Sequence, residues 1–311
     1  MASSVEVLSS NQAFQMKYLL TGASGFLGRH ILEALPRENV TTLGRGKTND
    51  LVVNLSTSVP DLQLAEIIIH CAGKAHVVPK TLKEEEEFFS VNLEGTRNLL
   101  KGLEKLVTPP HQFIFISTVA VYGKESGTLI SESYPILGDS PYAQSKIQAE
   151  QLLLEWGKSH GVPVVIFRLP LIVGPNPPGN LGKMIKGIRE ARYASIAGGK
   201  ARKSMVLASD VAQLISQISS QSGTYNLTDC YHPTLNELEL VIATEFKRSI
   251  KFKIPISIAK MIGILGDVIP FFPVNSKLIK KMSSDLTFDD SKAKKELNWK
   301  PNQVVNFKFI S

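Results

Sequence analysis

The feature that most constrains this chain is a set of glycines directly after its first apolar run. Residues 18–20 have the pattern of a short buried strand. The glycines that follow, Gly22, Gly25 and Gly28, have the spacing G-x-x-G-x-x-G. Glycine permits a sharp turn, lets a phosphate approach the main chain and lets a helix pack close to a strand. The pattern therefore predicts a strand–turn–helix unit whose helix N-terminus binds a dinucleotide pyrophosphate.

Short apolar runs then alternate with helical patterns. The further predicted strands are residues 40–43, 52–53, 67–69, 113–116 and 164–167, and the predicted helices are residues 29–35, 84–106 and 142–156. Apolar strands that alternate with helices are typical of a parallel sheet covered on both faces. We expect an α/β fold, a doubly wound parallel sheet of the Rossmann type.

A cluster of proline and glycine at residues 174–179 indicates a change of organisation. We expect a dinucleotide-binding domain over residues 16–173. Residues 174–311 would form a smaller, mostly helical substrate-binding region, part of which returns to the sheet. Residues 1–15 are polar and are interpreted as a leader or tag-like tail. Residues 254–272 are apolar but contain two charges and two prolines, which favours an amphipathic helix over a core rather than a membrane span.

Composition excludes few classes of partner. The formal net charge of +7 suits an anionic small substrate or a solvated surface and does not single out nucleic acid. Two cysteines are too few for a disulfide framework, and no Cys/His group has the spacing of a zinc site. His70, Cys71 and His76 lie close together, but packing at a strand end is the preferred interpretation. Without a signal peptide pattern, we expect a cytoplasmic protein that binds neither metal nor nucleic acid.

The end of the second strand bears on the cofactor. An acid here would accept hydrogen bonds from the ribose 2′-hydroxyl of NAD. The sequence instead has Arg45 between two glycines and no acid before Asp50. A guanidinium suits the 2′-phosphate of NADP, so NADP is favoured over NAD. The alternative is a solvated arginine on a loop.

Tyr142 and Lys146 are four residues apart and would lie on one face of a helix. A phenol has a pKa of about 10. A neighbouring ammonium would lower that pKa toward the range useful for acid–base catalysis. Ser117 and Thr118, at the end of a strand, could bind the same substrate oxygen. Such a Tyr/Lys pair is also common on helix surfaces, and Ser117-Thr118 could be a turn or a helix cap.

Together these residues resemble the extended short-chain dehydrogenase/reductase superfamily, in particular its nucleotide-sugar epimerase/dehydratase/4-ketoreductase branch. The similarity runs from about residue 17 to residue 301. Its motifs are Thr21 to Gly28, His70 to Gly73, Val91 to Thr96, Ser117 to Gly123, Tyr142 to Lys146, Arg168 to Pro175 and Asp289 to Pro301.

The resemblance implies roles for individual residues. The expected catalytic residues are Thr118, Tyr142 and Lys146. The expected cofactor contacts are Gly22, Ser24, Gly25, Phe26, Leu27, Gly28, Arg45, Ala72, Gly73, Asn92, Tyr142, Lys146 and Pro170. The expected substrate contacts are Ser117, Thr118, Asn180 and Lys203, of which the last two would hold a diphosphate. A solvated charge is the alternative for Lys203. A homodimer through helices 84–106 and 142–156 is also implied.

Departures from the branch narrow the expected reaction. Sugar 4,6-dehydratases have an Asp-Glu pair directly after the catalytic threonine, whereas Val119-Ala120 stand here. Typical UDP-galactose 4-epimerases have an asparagine where this chain has Leu171. The expected activity is therefore 4-keto reduction or 4-epimerisation of a UDP- or dTDP-sugar. The alternatives are a short-chain reductase of a hydrophobic, hydroxysteroid- or flavonoid-like carbonyl and a non-catalytic NADP-sensing protein.

Overall fold

The structure, a computed structural model, describes residues 16–75, 77–269 and 275–309. The predicted tail at residues 1–15, His76 and the end of the predicted apolar helix at residues 270–272 lie outside these described residues.

Thirteen strands are formed in the described residues. In chain order they are β1 (Tyr18–Thr21), β2 (Val40–Gly44), β3 (Leu51–Val52), β4 (Ile67–His70), β5 (Gln112–Thr118), β6 (Gly127–Ile130), β7 (Val164–Leu169), β8 (Leu171–Val173), β9 (Ala194–Ile196), β10 (Met205–Leu207), β11 (Gly223–Asn226), β12 (Phe252–Ile254) and β13 (Leu286–Phe288). Seven of them form one parallel sheet in the order β11-β7-β5-β4-β1-β2-β3. The expected doubly wound sheet is confirmed.

The α-helices are α1 (Phe26–Ala34), α2 (Leu82–Phe88), α3 (Gly95–Leu103), α4 (Pro141–His160), α5 (Gly179–Arg189), α6 (Ala208–Gln217), α7 (Leu235–Glu245), α8 (Ile256–Val268), α9 (Ser276–Ser283) and α10 (Ser291–Leu297). The predicted helix 84–106 is divided by a π-helical turn at Phe89–Glu94. Helix α4 begins where Ser140 accepts a hydrogen bond from the Ala143 N–H and ends at Gly161, whose φ is 67°. Both are common helix boundaries.

The core has two halves because successive strand residues face opposite sides of the sheet. Alternate residues of β1, β4, β5 and β7 pack against α1 and α6 on one side, and these are Leu20, Ile69, Ile114 and Val165. Their neighbours pack against α3 and α4 on the other side, and these are Leu19, Ile68, Phe113 and Ile166. From β1 the sheet extends to β2 and β3 on one side and to β4, β5 and β7 on the other. The strand order therefore reverses between β1 and β4, and the carboxyl ends of these two strands border a crevice.

The remaining strands pair two by two, β8 with β10, β9 with β12 and β6 with β13. Strand β11 lies beside β7, so part of the chain after residue 174 returns to the central sheet. In the described ranges no helix is long and apolar enough to cross a membrane.

Helix α8 differs from its sequence prediction. The pattern predicted a helix that covers a core with its apolar face. The helix forms, but its buried residues are only Ala259 and Gly263. Large apolar side chains such as Met261 and Ile264 are 58% and 62% exposed. The prediction of burial was wrong because both faces of this helix are apolar, and only one of them meets the rest of the fold.

Candidate active site

The glycine loop connects β1 to α1 and leaves no space for side chains. Gly22 has a φ of 75°, which favours glycine, and a Cβ there would lie 2.6 Å from the Ala72 nitrogen. A Cβ on Gly28 would lie 2.0 Å from the Gly22 oxygen. Gly25 precedes α1, and no side chain caps the helix there. The first turn of α1 therefore presents N–H groups at the crevice, as anion binding requires.

His70 stabilises the loop after β4 through hydrogen bonds to neighbouring elements. Its two ring nitrogens lie 2.7 Å from the Thr21 hydroxyl and 3.0 Å from the Thr96 hydroxyl. Thr21 in turn accepts a hydrogen bond from the Ala72 N–H. Burial lowers the pKa of His70 to about 3, so the ring is neutral. The histidine joins β1, β4 and α3, which agrees with its interpretation as a strand-end packing residue.

Asn92 holds the segment that follows Ala72. It is buried in the π-helical turn, and its Oδ1 accepts a hydrogen bond from the Lys74 N–H at 2.7 Å. Its Nδ2 donates to the Lys74 carbonyl at 3.1 Å and to the Ser145 hydroxyl at 2.9 Å. A Cβ on Gly73 would lie 3.1 Å from Asn92 Oδ1 and 3.3 Å from Lys146 Nζ. Asn92 thus connects the loop after β4 to α4.

Lys146 lies one turn after Tyr142 on α4, and its side chain is almost fully buried. Its Nζ donates to the Ile116 carbonyl at 2.8 Å and lies 4.5 Å from the centre of the Phe115 ring. Burial lowers the pKa of Lys146 to about 8. The ammonium is therefore held at the end of β5 and loses its proton more readily than an exposed lysine.

Tyr142 differs from the prediction in one respect. Burial raises the pKa of Tyr142, and its hydrogen bond with Thr118, which lowers the pKa, is the smaller effect. Lys146 is not among the groups that shift the pKa of Tyr142, so the expectation that it lowers this pKa is not met. Tyr142 is consequently a protonated phenol at neutral pH, next to the hydroxyl of Thr118.

A buried ion pair that the sequence did not reveal lies beneath these residues. Arg168 Nη2 lies 2.6 Å from Glu150 Oε2, and neither side chain is more than 5% exposed. Ser117 donates its hydroxyl proton to Glu150, and Arg168 Nη1 donates to Tyr122 at 3.1 Å. Glu150 is eight residues after Tyr142, so both lie on the same face of α4. That spacing was the feature of the sequence that could have indicated a charged residue beside Tyr142.

Two clefts border these residues. The first has a volume of about 610 Å³ and is bordered on the cofactor side by the predicted residues Gly25, Phe26, Leu27 and Gly73. On the other side the same cleft reaches the predicted residues Ser117, Thr118, Tyr142, Lys146 and Pro170. The second cleft is bordered by the predicted residues Gly22, Ser24, Arg45 and Ala72. Both clefts include Gly25, Cys71 and Gly73, so they adjoin.

These clefts fit a dinucleotide. Their shared border includes Gly25 of the glycine loop, directly before the first turn of α1, whose N–H groups are available to a pyrophosphate. The second cleft extends to Arg45, an exposed residue just after β2. Asp50 does not line it, because its carboxylate binds Thr42 and Arg37 instead. Hydrogen bonds from Thr42 hold the pKa of Asp50 at about 2.

Two predicted substrate residues do not border the first cleft. Asn180 is exposed in the first turn of α5, whereas Asn176 and Pro178 line the cleft. Lys203 Nζ donates to the carbonyls of Lys281 and Ser284 at 2.7 and 2.6 Å. Burial lowers the pKa of Lys203 to about 8. The structure therefore does not bring these two residues together with Tyr142.

Cys71 and Lys74 line the first cleft and were not predicted as site residues. Burial raises the pKa of the Cys71 thiol to about 11, so it is not a nucleophile at neutral pH. Lys74 forms an ion pair with Glu87 and lies 5.1 Å from the centre of the Phe88 ring. Their position directly beside Ala72-Gly73 in the sequence was the only signal.

Comparison with known proteins shows which family this chain resembles. The sequence profile of the NAD dependent epimerase/dehydratase family matches residues 18–227. N-acetyl-alpha-D-glucosaminyl-diphospho-ditrans,octacis-undecaprenol 4-epimerase of Escherichia coli O157:H7 is 28% identical over 301 residues, which cover 88% of this chain and 87% of that protein. GDP-6-deoxy-D-mannose reductase of Pseudomonas aeruginosa is 33% identical over 165 residues, which cover 51% and 53% of the two chains.

Solved structures agree in fold. The UDP-glucose 4-epimerase of Thermus thermophilus in complex with NAD superposes with a TM-score of 0.67 at 22% identity, over 92% of this chain and 94% of that one. A similar fold from Pseudomonas aeruginosa was solved with NADPH. Because the family profile covers more than half of the chain, this protein is a member of the NAD-dependent epimerase/dehydratase family, and its named relatives include sugar epimerases, dehydratases and reductases.

Proposed function

We propose that this protein is an NADPH-dependent 4-ketoreductase of a nucleotide-diphosphate sugar, with a UDP- or dTDP-sugar as the substrate class. The observation that carries the proposal is the protonated Tyr142 phenol beside the Thr118 hydroxyl in the first cleft. Reduction of a ketone needs a proton donor at the carbonyl oxygen, and the Tyr142 phenol carries its proton at neutral pH and lies beside Thr118 in the cleft. Arg45, in place of the usual acid after β2, supports NADP over NAD.

Different residues of the chain have different roles in this reaction. A nicotinamide held in the first cleft would supply the hydride for the ketone carbon. Tyr142 donates its proton to the ketone oxygen as negative charge develops there, so the product is an alcohol. Thr118 donates a hydrogen bond to the same oxygen, and Lys146, which lines the same cleft, would bind the ribose next to the nicotinamide. Gly73 and the first turn of α1 border the cofactor side of the cleft.

A 4-epimerase is the second candidate, because named relatives are 4-epimerases and the same residues serve both reactions. In that case Tyr142 first removes the proton of the C4 hydroxyl and later returns one. Arg45 in place of an acid after β2 favours NADP, the cofactor expected of an exchanging reductase, and places the ketoreductase ahead. The proposal includes a cytoplasmic location and the homodimer implied by the resemblance. The hydrophobic-carbonyl alternative would use an apolar cap at residues 254–272 and would not need Asn180 or Lys203. Helix α8 does not line the described cleft, and neither do Asn180 and Lys203. The names of the relatives, which are sugar epimerases and reductases, are what favour a sugar substrate.

Cofactor binding tests the proposal first. We expect calorimetry to give tighter binding of NADPH than of NADH to the purified protein, and Arg45→Gln to weaken NADPH binding about tenfold or more, since a charge-assisted hydrogen bond contributes roughly 1.5–3 kcal/mol. NADH binding should change little. Lys47→Gln is the matched control, because it removes the same charge two residues away outside the cleft.

Each alternative has its own result. NAD retained through purification would support the 4-epimerase. Binding of neither cofactor would contradict both enzymatic proposals. Binding of NADPH without turnover of any 4-keto sugar nucleotide would support the non-catalytic alternative. Tyr142 and Lys146 variants that are inactive but keep unchanged partner binding would support the enzyme.

The pH profile of ketone reduction tests the protonation states assigned to Tyr142 and Lys146. With its pKa of about 8, Lys146 is charged below that pH and neutral above it. Tyr142, with a raised pKa, stays protonated across the same range. We expect kcat/KM for NADPH-dependent ketone reduction to be level near neutral pH and to fall as pH rises through about 8. Lys146→Arg, which keeps its charge, should shift that fall upward. A reduction rate that rises through this range would contradict the assignment.

A further inference from the structure

A third cleft adjoins the first one at Asn176, which borders both. It has a volume of about 640 Å³ and is bordered by residues 174–177, by one face of α5, and by Phe246 and Phe309. This volume is in the range of small-molecule sites. None of the described residues that line the third cleft is an acid. A small ligand with negative charge would therefore meet no repulsive side chain on its walls.

The walls of the third cleft are held together by close contacts. A Cβ on Gly182, in α5, would lie 2.2 Å from the Pro177 oxygen, so the proline-rich segment packs directly on the helix. At the other end of α5, Arg248 Nε donates to the Arg189 carbonyl at 3.0 Å. This hydrogen bond joins the end of α5 to the chain that follows α7. A ligand would thus bind to walls that are already in place, which lowers the entropic cost of binding.

One face of α5 contributes three cations to the third cleft. Lys183, Lys186 and Arg189 follow one another at intervals of three residues and lie within an arc of about 120°. At 1.5 Å per residue they extend over about 9 Å of the helix axis, which is more than one phosphate group can span. Glu190 does not line the cleft, and it lies 4.0 Å from Lys186 and 3.7 Å from Arg192. One acid beside four cations leaves this face positively charged.

Two phenyl rings border the cleft toward its Arg189 end. Phe246 directly follows α7. The Phe309 N–H donates to the Glu245 carboxylate at 2.6 Å, so Phe309 is held at the same end of α7. Both phenylalanines are half-buried and pack against the core cluster of α5 and α7. The part of each side chain that borders the cleft is available for stacking, the contact that aromatic side chains make with nucleobases.

We propose that the third cleft binds a nucleoside polyphosphate, at a site separate from the cofactor and from the ketone. The phosphate chain lies along Lys183, Lys186 and Arg189 through charge-assisted hydrogen bonds. The base stacks on Phe246 and Phe309. An inorganic polyphosphate is the less favourable ligand, because it would satisfy the cations and leave both rings without a partner.

Calorimetry with the full chain tests this site, with ATP, tripolyphosphate and adenosine as probes. The protein is first saturated with NADPH, so that the adenosine of ATP does not enter the cofactor clefts. We expect ATP to bind more tightly than tripolyphosphate and adenosine to bind too weakly to measure. Lys183→Gln with Lys186→Gln should weaken ATP binding about tenfold or more, since two charge-assisted hydrogen bonds are lost.

A second variant tests the base contact. Phe309→Leu keeps an apolar side chain and removes the ring, so it should weaken ATP binding about threefold or more and leave tripolyphosphate binding unchanged. If both variants left ATP binding unchanged, or if tripolyphosphate bound as tightly as ATP, the cleft would not be a nucleoside polyphosphate site.

The matched control is Lys101→Gln with Lys105→Gln, which removes the same charge at two exposed positions outside the cleft. Its ATP binding should equal that of the wild type. The Lys183/Lys186 variant should keep its affinity for NADPH within about twofold, so failure of the cofactor assignment would be seen separately. The proposal would be overturned by no ATP binding to the wild type, by displacement of ATP when NADPH is added, or by an equal loss in the control.

Discussion

Tyr142→Phe is expected to lower kcat for ketone reduction by about 10²–10⁴-fold, the usual contribution of a positioned proton donor. The substitution removes one oxygen from a side chain whose ring packs beside Phe88, at 5.9 Å between ring centres. Because the ring contact and the fold are retained, NADPH binding should stay within about twofold of the wild type. Steady-state kinetics with a dTDP- or UDP-4-keto-6-deoxyhexose, together with calorimetry for NADPH, measures both quantities.

Two further variants separate proton donation from general damage. Tyr134→Phe removes the same oxygen from a tyrosine that does not line the described cleft and should leave kcat unchanged. Thr118→Val should lower kcat less than Tyr142→Phe, because it removes a hydrogen bond to the oxygen but not its proton donor. A Tyr142→Phe enzyme with kcat within tenfold of the wild type would contradict the assigned role.

Most of the central sheet could be predicted because its signals are local. Buried parallel strands such as β4 are continuous apolar runs, and their ends are fixed by neighbouring polar residues. The glycine loop was equally predictable, since its backbone angles and close contacts exclude other residues. Tyr142 and Lys146 were found because their spacing on one helix gives their relation directly.

The remaining features depend on contacts between distant segments. Asn180 and Lys203 were expected near the substrate, but Lys203 binds carbonyls about 80 positions later in the sequence, at Lys281 and Ser284. No local sequence pattern specifies which distant carbonyls a lysine side chain binds. The burial of helix α8 could not be predicted for the same reason. Hydropathy identifies an apolar helix but does not show which of its faces other segments cover. The pKa of Tyr142 likewise depends on burial and on the hydrogen bond with Thr118, which lies on another element.

The Glu150–Arg168 pair is the clearest case, and it gives the largest expected effect on stability. Burial acts to lower the pKa of Arg168, but its hydrogen bonds to Glu150 outweigh this and raise the pKa, so the guanidinium stays charged. Glu150→Ala would leave that charge buried without its carboxylate and the Ser117 hydroxyl without its acceptor. We expect a loss of about 3–5 kcal/mol in the free energy of unfolding, measured by chemical denaturation.

The cost should come from the unpaired charge rather than from the loss of packing. Glu150→Leu combined with Arg168→Met removes both charges and should therefore destabilise the protein less than either single substitution. Glu94→Ala breaks an exposed ion pair with Arg97 and should cost less than about 1 kcal/mol. If Glu150→Ala unfolded at the same denaturant concentration as Glu94→Ala, the buried pair would not hold β7 against α4, and the rigidity of the strand end at Ser117-Thr118 would need another source.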